Sequence, residues 1–236
     1  MSTSAVMTTD KKQAVLEVLR SRAMNYRMFS RLFLRPLTDQ DIEDIVAMDL
    51  ASKAEDLEGT GLLAEGFNDM GRGLSRRNTG TRQQLATDYT MCFDGITTIN
   101  EKVAVPYASV FLSEEALLYR EPRQKVYHLF RAEGIELKQG VNLPEDHLSF
   151  ELEFLAILSD RAAKALEEGN KENLDRDLEL SRTFIHEHIL NWYDLFSERA
   201  AQMLNTRFYR GLLKATKGYL ELDLETIDEL EKVTDE

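Results

Sequence analysis

Pro144, Glu145, Asp146 and His147 stand directly before the apolar helical run Leu148 to Leu158. Acid and imidazole at the lip of an oily surface suit a segment that is both basic and apolar. Guanidinium groups seek carboxylate oxygens, and apolar neighbours seek a hydrophobic wall. The same four residues also make an ordinary helix start. Proline lacks an N–H that would be unpaired there, and carboxylates favour the positive end of the helix dipole. The helix behind them adds information. Leu148, Leu152 and Leu155 fall on one face and Phe150, Phe154 and Ile157 on the next. That width of apolar surface predicts a central helix buried on most sides. Asp146 and His147 are then the polar rim of the core.

Other chemistry is sparse. The sequence holds neither G-x-x-x-x-G-K-[ST] nor G-x-G-x-x-G, so the usual phosphate cradles are missing. Of the histidines, His128, His147, His186 and His188, none follows a glutamate by three residues, which removes the Glu-x-x-His pairs of di-iron bundles. His186-Glu187-His188 resembles a ligand pair, but positions two apart on a helix point about 200° away from each other. Cys92 is the single cysteine. It excludes an intrachain disulfide and a multi-cysteine zinc site, and between Met91 and Phe93 it reads as inert packing. No glycine-flanked serine resembles a nucleophile elbow. The expectation is a non-enzyme with no cofactor and no metal.

Composition bounds the setting. At 236 residues the chain is long enough for one large or two small cores. No apolar run approaches the roughly 18 residues of a membrane span. The stretch MSTSAVMTTDKK lacks the basic-then-apolar order of an export signal, so a cytoplasmic location is expected. Net charge is −13, and from Leu220 to Glu236 eight acids against Lys232 alone contribute −7 of it. Such a field repels nucleic acid and anionic lipid and attracts cationic partners.

The apolar period is helical throughout. It predicts helices over 11–34, from Thr38 onward, 62–76, 81–93, a short element at 107–112, a helix from Pro122 to Gly134, and then 144–168, 172–190 and 192–220, the last broken near Asn205. Gly66, Gly71 and Gly73 weaken the third on propensity grounds. Residues 135–141 carry weak hints of strand alternation. The reading is an all-α helical bundle of about ten helices over 11–220, in two packed halves with a hinge at 134–143, followed by an acidic C-terminal tail at 221–236.

Four stretches in register carry a resemblance: LATDYTMCFDG (85–95), VPYASVFLSEEALLYREP (105–122), NLPEDHLSFELEFLAIL (142–158), and FIHEHILNWYDLFSERA with RFYRGLLKATKGYLELD (184–223). They are similar to segments of the TorD/DmsD family of cytoplasmic maturation chaperones for molybdenum-containing oxidoreductases. The resemblance implies an all-helical fold without a bound cofactor. It also implies a partner, the molybdopterin oxidoreductase catalytic subunit with its twin-arginine leader peptide, held for cofactor insertion and against premature export. The leader-binding residues it implies are Pro144, Asp146 and His147, with aromatic positions at Tyr89, Phe93 and Tyr107 and with Ser109 beside the last. Tyrosine at 107 departs from members that carry tryptophan.

Two forked cations call for carboxylates, with Asp146 first and Glu145 and Glu121 as further candidates. The expected binding surface is a trough between helices 81–93 and 144–158 with negative charge at its mouth. Two alternatives share much of this reading. One is a nitrate-reductase-type assembly factor whose client lacks an export signal; the other, from a different class, is a helical regulator or enzyme. A link at 134–143 between self-complementary halves is compatible with a monomer or a domain-swapped dimer.

Overall fold

The computed structural model describes residues 8–57, 59–113, 121–138 and 140–235. Residues 114–120, part of the second resembling stretch, lie outside them, as does Glu236 of the acidic segment. The described residues form an all-α protein. Its helices are α1 (Thr9–Leu34), α2 (Asp39–Ala47), α3 (Leu50–Asp56), α4 (Leu62–Leu74), α5 (Thr81–Cys92), α6 (Ala108–Leu112), α7 (Glu121–Ala132), α8 (Leu148–Glu168), α9 (Lys171–Phe184), α10 (Asn191–Met203) and α11 (Arg207–Asp235). A π-helical stretch, Ile185–Leu190, joins α9 to α10. The hints of alternation at 135–141 are not matched among the described residues of that link, 135–138 and 140–141, which are in neither helix nor strand.

The central helix is α8. Leu148, Leu152, Leu155 and Leu158 are all fully buried, and the helix packs chiefly on α1 and α9. Its ends are set locally. His147 caps the start by accepting the Ser149 N–H on Nδ1, and Gly169 closes the end in the left-handed region at φ 72°. Around it runs one contiguous set of buried apolar residues, from Val15 of α1 to Leu230 of α11.

The glycines of α4 have a packing role that propensity alone did not suggest. A Cβ on Gly66 would stand 2.3 Å from the Ala215 backbone nitrogen, and one on Gly218 would stand 2.3 Å from that of Leu63. Missing side chains let α4 and α11 approach until backbone meets backbone. The cost in helix propensity is offset by that contact.

Residues 221–235 are not a separate tail. They are the last turns of α11, and Asp223, Ile227 and Leu230 are buried. The apolar positions within the acidic stretch keep the helical period and find a partner surface on the body. Asp223 receives a bidentate bond from Arg22 (Nε–Oδ1 2.6 Å, Nη2–Oδ2 2.9 Å) and a bond from the Tyr26 hydroxyl (2.5 Å). Farther along, Arg182 bonds both Asp228 and Glu231, while Lys171 meets Asp235 at 2.7 Å. Charge density singled out this segment, but its apolar face decides where it lies.

Two substitutions test this packing by chemical denaturation. Gly218→Ala is expected to lower stability by about 1–3 kcal/mol, because the added methyl meets backbone that cannot move aside cheaply. Asp223→Ala leaves the Arg22 guanidinium buried and unpaired, with an expected loss of about 3–5 kcal/mol. An unchanged denaturation midpoint in either variant would contradict the corresponding contact.

Candidate functional site

A short crossing of two segments organises the site. Pro106 to Ser109 lies over Asp146 to Leu148 in an isolated antiparallel bridge between Tyr107 and His147. Two backbone bonds hold it: Ala108 N–H to the Asp146 carbonyl (3.1 Å), and Leu148 N–H to the Pro106 carbonyl (2.9 Å). A third comes from a side chain, as Asp146 Oδ2 accepts the Ser109 N–H at 2.8 Å. The Tyr107 ring stands edge-on to the imidazole of His147 at 4.8 Å. Sequence distance is no obstacle here, because α6 and α8 both begin at this point and each borrows a group from the other segment for its first turn.

The crossing brings Tyr107, Ser109, Pro144, Asp146 and His147 together, and all five are buried. Asp146 is fully enclosed and His147 is 4% exposed. The expectation of exposed charge at the lip is therefore corrected. α8 begins at Leu148 rather than at 144, so residues 144–147 form a turn in which Asp146 and His147 are buried against the 106–109 segment. Glu145 is the more accessible acid, and it is bonded to Arg123 of α7 (Nε–Oε2 2.6 Å). Glu121 lies on the open surface and pairs with Lys125 at 3.0 Å.

Tyr89 and Phe93 are 3% exposed and do not line an open trough. The Tyr89 hydroxyl donates to the Phe33 carbonyl at 2.8 Å, and the Phe93 ring packs against Phe33, Phe196 and Tyr209. In this conformation α5 thus contributes core beneath the site rather than one of its walls. Cys92 beside them is buried, which pushes its thiol up to about 12 and keeps it neutral. His186 is exposed while His188 stacks on Phe184, so the two imidazoles face different surroundings. Among the described residues, no three His, Cys, Asp or Glu side chains are placed to hold a metal ion.

The apolar surface near the crossing lies along α8. A groove of about 380 Å³ is lined by Leu34 of α1, Phe130 of α7, Ile135, Leu137 and Val141 of the link, and Phe150, Phe154 and Ile157 of α8, with Ser30 and Ser149 among its polar atoms. Phe150 also packs on His147, with ring centres 5.7 Å apart, so the groove begins where the crossing ends. Sequence reasoning named Phe150, Phe154 and Ile157 as a face of α8. It did not foresee that Ile135, Leu137 and Val141 would line the groove over that face.

One functional candidate was missed altogether. Glu151 is fully buried on α8, and both its carboxylate oxygens lack a hydrogen-bond partner. Its sequence signal was present: it sits three residues after Leu148 and four before Leu155, on the buried face. Burial, with the Asp146 charge adding to it, raises the Glu151 pKa well above the ordinary carboxylate range. Asp146 is also raised by burial, against the opposing effect of the Ser109 hydrogen bonds. Burial pushes His147 down to about 3, so its imidazole is neutral at any physiological pH.

The signs of these shifts are opposite in their consequences. His147 is neutral when folded and takes up a proton when unfolded below about pH 6.5, so its contribution is complete above that pH and is lost between about 6.5 and 3. The expected slope from this one group is about 1.4 kcal/mol per pH unit. Glu151 and Asp146 run the other way, favouring the fold below the ordinary carboxylate pKa and costing stability as pH rises through their raised values. Unfolding free energies measured from pH 4 to 8 should show His147→Asn flattening the acid limb. A parallel pair of curves would place the imidazole in solvent.

Residues 54–198 match the family described as nitrate reductase delta subunit. The chain is 29% identical over 209 residues to a chaperone protein TorD of Vibrio cholerae, covering 89% of this chain and 93% of that protein. It is 30% identical over 206 residues to a chaperone protein TorD of Vibrio vulnificus, covering 86% and 92%. The corresponding protein of Photobacterium profundum is 26% identical over 202 residues, with 86% and 92% covered. The helices that build the crossing, the groove and the core beneath them lie almost wholly within these matches, and the chain belongs to the nitrate reductase delta subunit family, the family of the TorD chaperones.

Proposed function

We propose that this protein is a chaperone for the maturation of a molybdopterin-containing oxidoreductase. It binds the twin-arginine leader of the catalytic subunit, and the subunit behind it, while the cofactor is inserted, and it delays export until then. The observation that carries this reading is the meeting of Tyr107, Ser109, Asp146 and His147 in one crossing that opens onto an apolar groove. It stands beside relatives that bear the name of TorD chaperones. The leader's chemistry fits both parts. Two guanidinium groups find the acids around the 144–147 turn, and a modestly apolar stretch finds the α8 groove. A leader arginine can compete with Arg123 for the Glu145 carboxylate at the accessible edge of the turn.

Binding of this kind is reversible by design. Micromolar affinity corresponds to about 8 kcal/mol, which a few charge contacts and one apolar anchor supply. The bound leader then remains free to pass to the export machinery. Its place of action is the cytoplasm, where the leader is still attached, and the chaperone itself performs no covalent chemistry.

A second reading is favoured by the family description itself, which names a nitrate reductase subunit. In that case the client is a catalytic subunit without an export leader, held through the same surface. The two readings separate on the client's sequence, which carries or lacks two adjacent arginines before an apolar stretch.

Titration calorimetry with a synthetic peptide holding two adjacent arginines and an apolar segment tests the first reading. Micromolar binding is expected, several-fold weaker when salt rises from 50 to about 500 mM as the charge contacts are screened. A peptide with both arginines replaced by glutamine should bind at least about tenfold less tightly. Equal affinity for the two peptides would remove the leader-binding reading and leave the leaderless client.

A further inference from the structure

One side chain of α10 grips the chain on both sides of the crossing. Arg199 donates from Nη1 to the Val103 carbonyl at 2.9 Å. Its guanidinium also lies over the Phe111 ring, 4.6 Å from the centroid. Val103 and Phe111 flank residues 106–109, which cross Asp146 to Leu148. The Phe111 ring is stacked as well on Trp192, at 5.6 Å and 20°, and meets Phe196 edge-on at 5.9 Å. Trp192, Phe196 and Arg199 recur at helical spacing, so a single face of α10 holds both the approach to the crossing and α6 behind it.

Arg199 is unlike the arginines of α1. Arg20, Arg27 and Arg31 each pair with a carboxylate. Among the described residues Arg199 makes no ion pair, and burial lowers its pKa with no acid to oppose it. A half-buried cation kept without an acid must gain from its other contacts. Here they are a charge-assisted hydrogen bond to a carbonyl and a cation–π contact. A guanidinium can donate in its own plane while its flat face covers a ring, which an ammonium cannot. The chain between α5 and α6 has no helix of its own. Its path to the crossing therefore depends on side-chain contacts such as this one.

We propose that Arg199 is a positioning residue for client binding: it fixes the 106–109 segment over the 144–147 turn by holding the chain on either side, without touching the client. This rests on the leader-binding reading above and extends the machinery of the site to α10. The sign of its effect sets it apart from a charge effect. Arg199 is a cation beside a site for a cationic peptide, so on charge alone its removal would tighten binding. As a positioning residue its removal loosens binding, because a slack crossing must be ordered again when the client docks. The two accounts predict opposite signs.

Titration calorimetry with the two-arginine peptide reads that sign, at a temperature well below the melting transition of every variant. Arg199→Leu is expected to weaken binding by about fivefold although it removes a like charge. Arg199→Lys, which can restore the carbonyl bond but not the flat contact with Phe111, should fall between the two. Parent affinity or tighter binding in Arg199→Leu overturns the proposal and leaves leader binding intact. Hydrogen exchange supplies a second readout that needs no peptide. The Ala108 and Leu148 amides bond across the crossing and should exchange faster in Arg199→Leu, while the Leu155 amide within α8 keeps the parent's rate. Unchanged exchange at Ala108 and Leu148 overturns the proposal, as does equal acceleration at all three, which marks a general loosening of the fold. If the parent binds no peptide, the leader-binding reading falls by itself, and the exchange rates alone decide whether Arg199 fixes the crossing.

Discussion

The hydrogen bond from the Ser109 N–H to the Asp146 carboxylate is the constraint on which the site depends. It joins two segments far apart in sequence at the one place where α6 and α8 both begin. Around it are the Tyr107–His147 bridge and the edge-on contact of their rings. A buried carboxylate that satisfies a backbone donor stabilises the crossing, but it leaves its second oxygen without a partner. The same group therefore holds the local structure together while burial raises its pKa.

The rest of the fold supports this point from below. α8 is anchored along its length by α1 and α9, so the residues at its start are held against a rigid core. Tyr89 and Phe93 belong to that support. Their rings, with those of Phe33, Phe196 and Tyr209, fill the space under the crossing. Elsewhere α4 and α11 meet backbone to backbone through Gly66, Gly211 and Gly218. There Asp223 ties α11 to α1 through the buried Arg22 pair. These contacts join the helices around one contiguous set of buried apolar residues.

Family membership and geometry bear on different parts of the functional reading. Similarity of about 29% across most of the chain to TorD chaperones concerns the kind of work done. It is silent on which atoms do it. The geometry contributes the candidates: an apolar groove along Phe150, Phe154 and Ile157, and Glu145 with Arg123 at the accessible edge of the crossing. Acids that meet the solvent already have basic neighbours, and those without partners are enclosed.

Most of the helices were legible in the sequence because they are local, although the start of α8, the end of α11 and the short α3 were not. The apolar period of α1, the cap at Thr38, the start at Pro122 and the break near Asn205 each follow from residues within a turn or two. The buried faces of α8 were legible for the same reason. What the sequence could not determine was the direction in which polar groups look. Whether Asp146 meets solvent depends on the 106–109 segment, and whether Glu151 has a partner depends on Asp146. Whether acidic residues 221–235 extend or fold back depends on Arg22 and Arg182. Such questions turn on contacts between residues distant in the chain, and burial, which governs both hydrogen bonding and charge, exists only once those contacts are made.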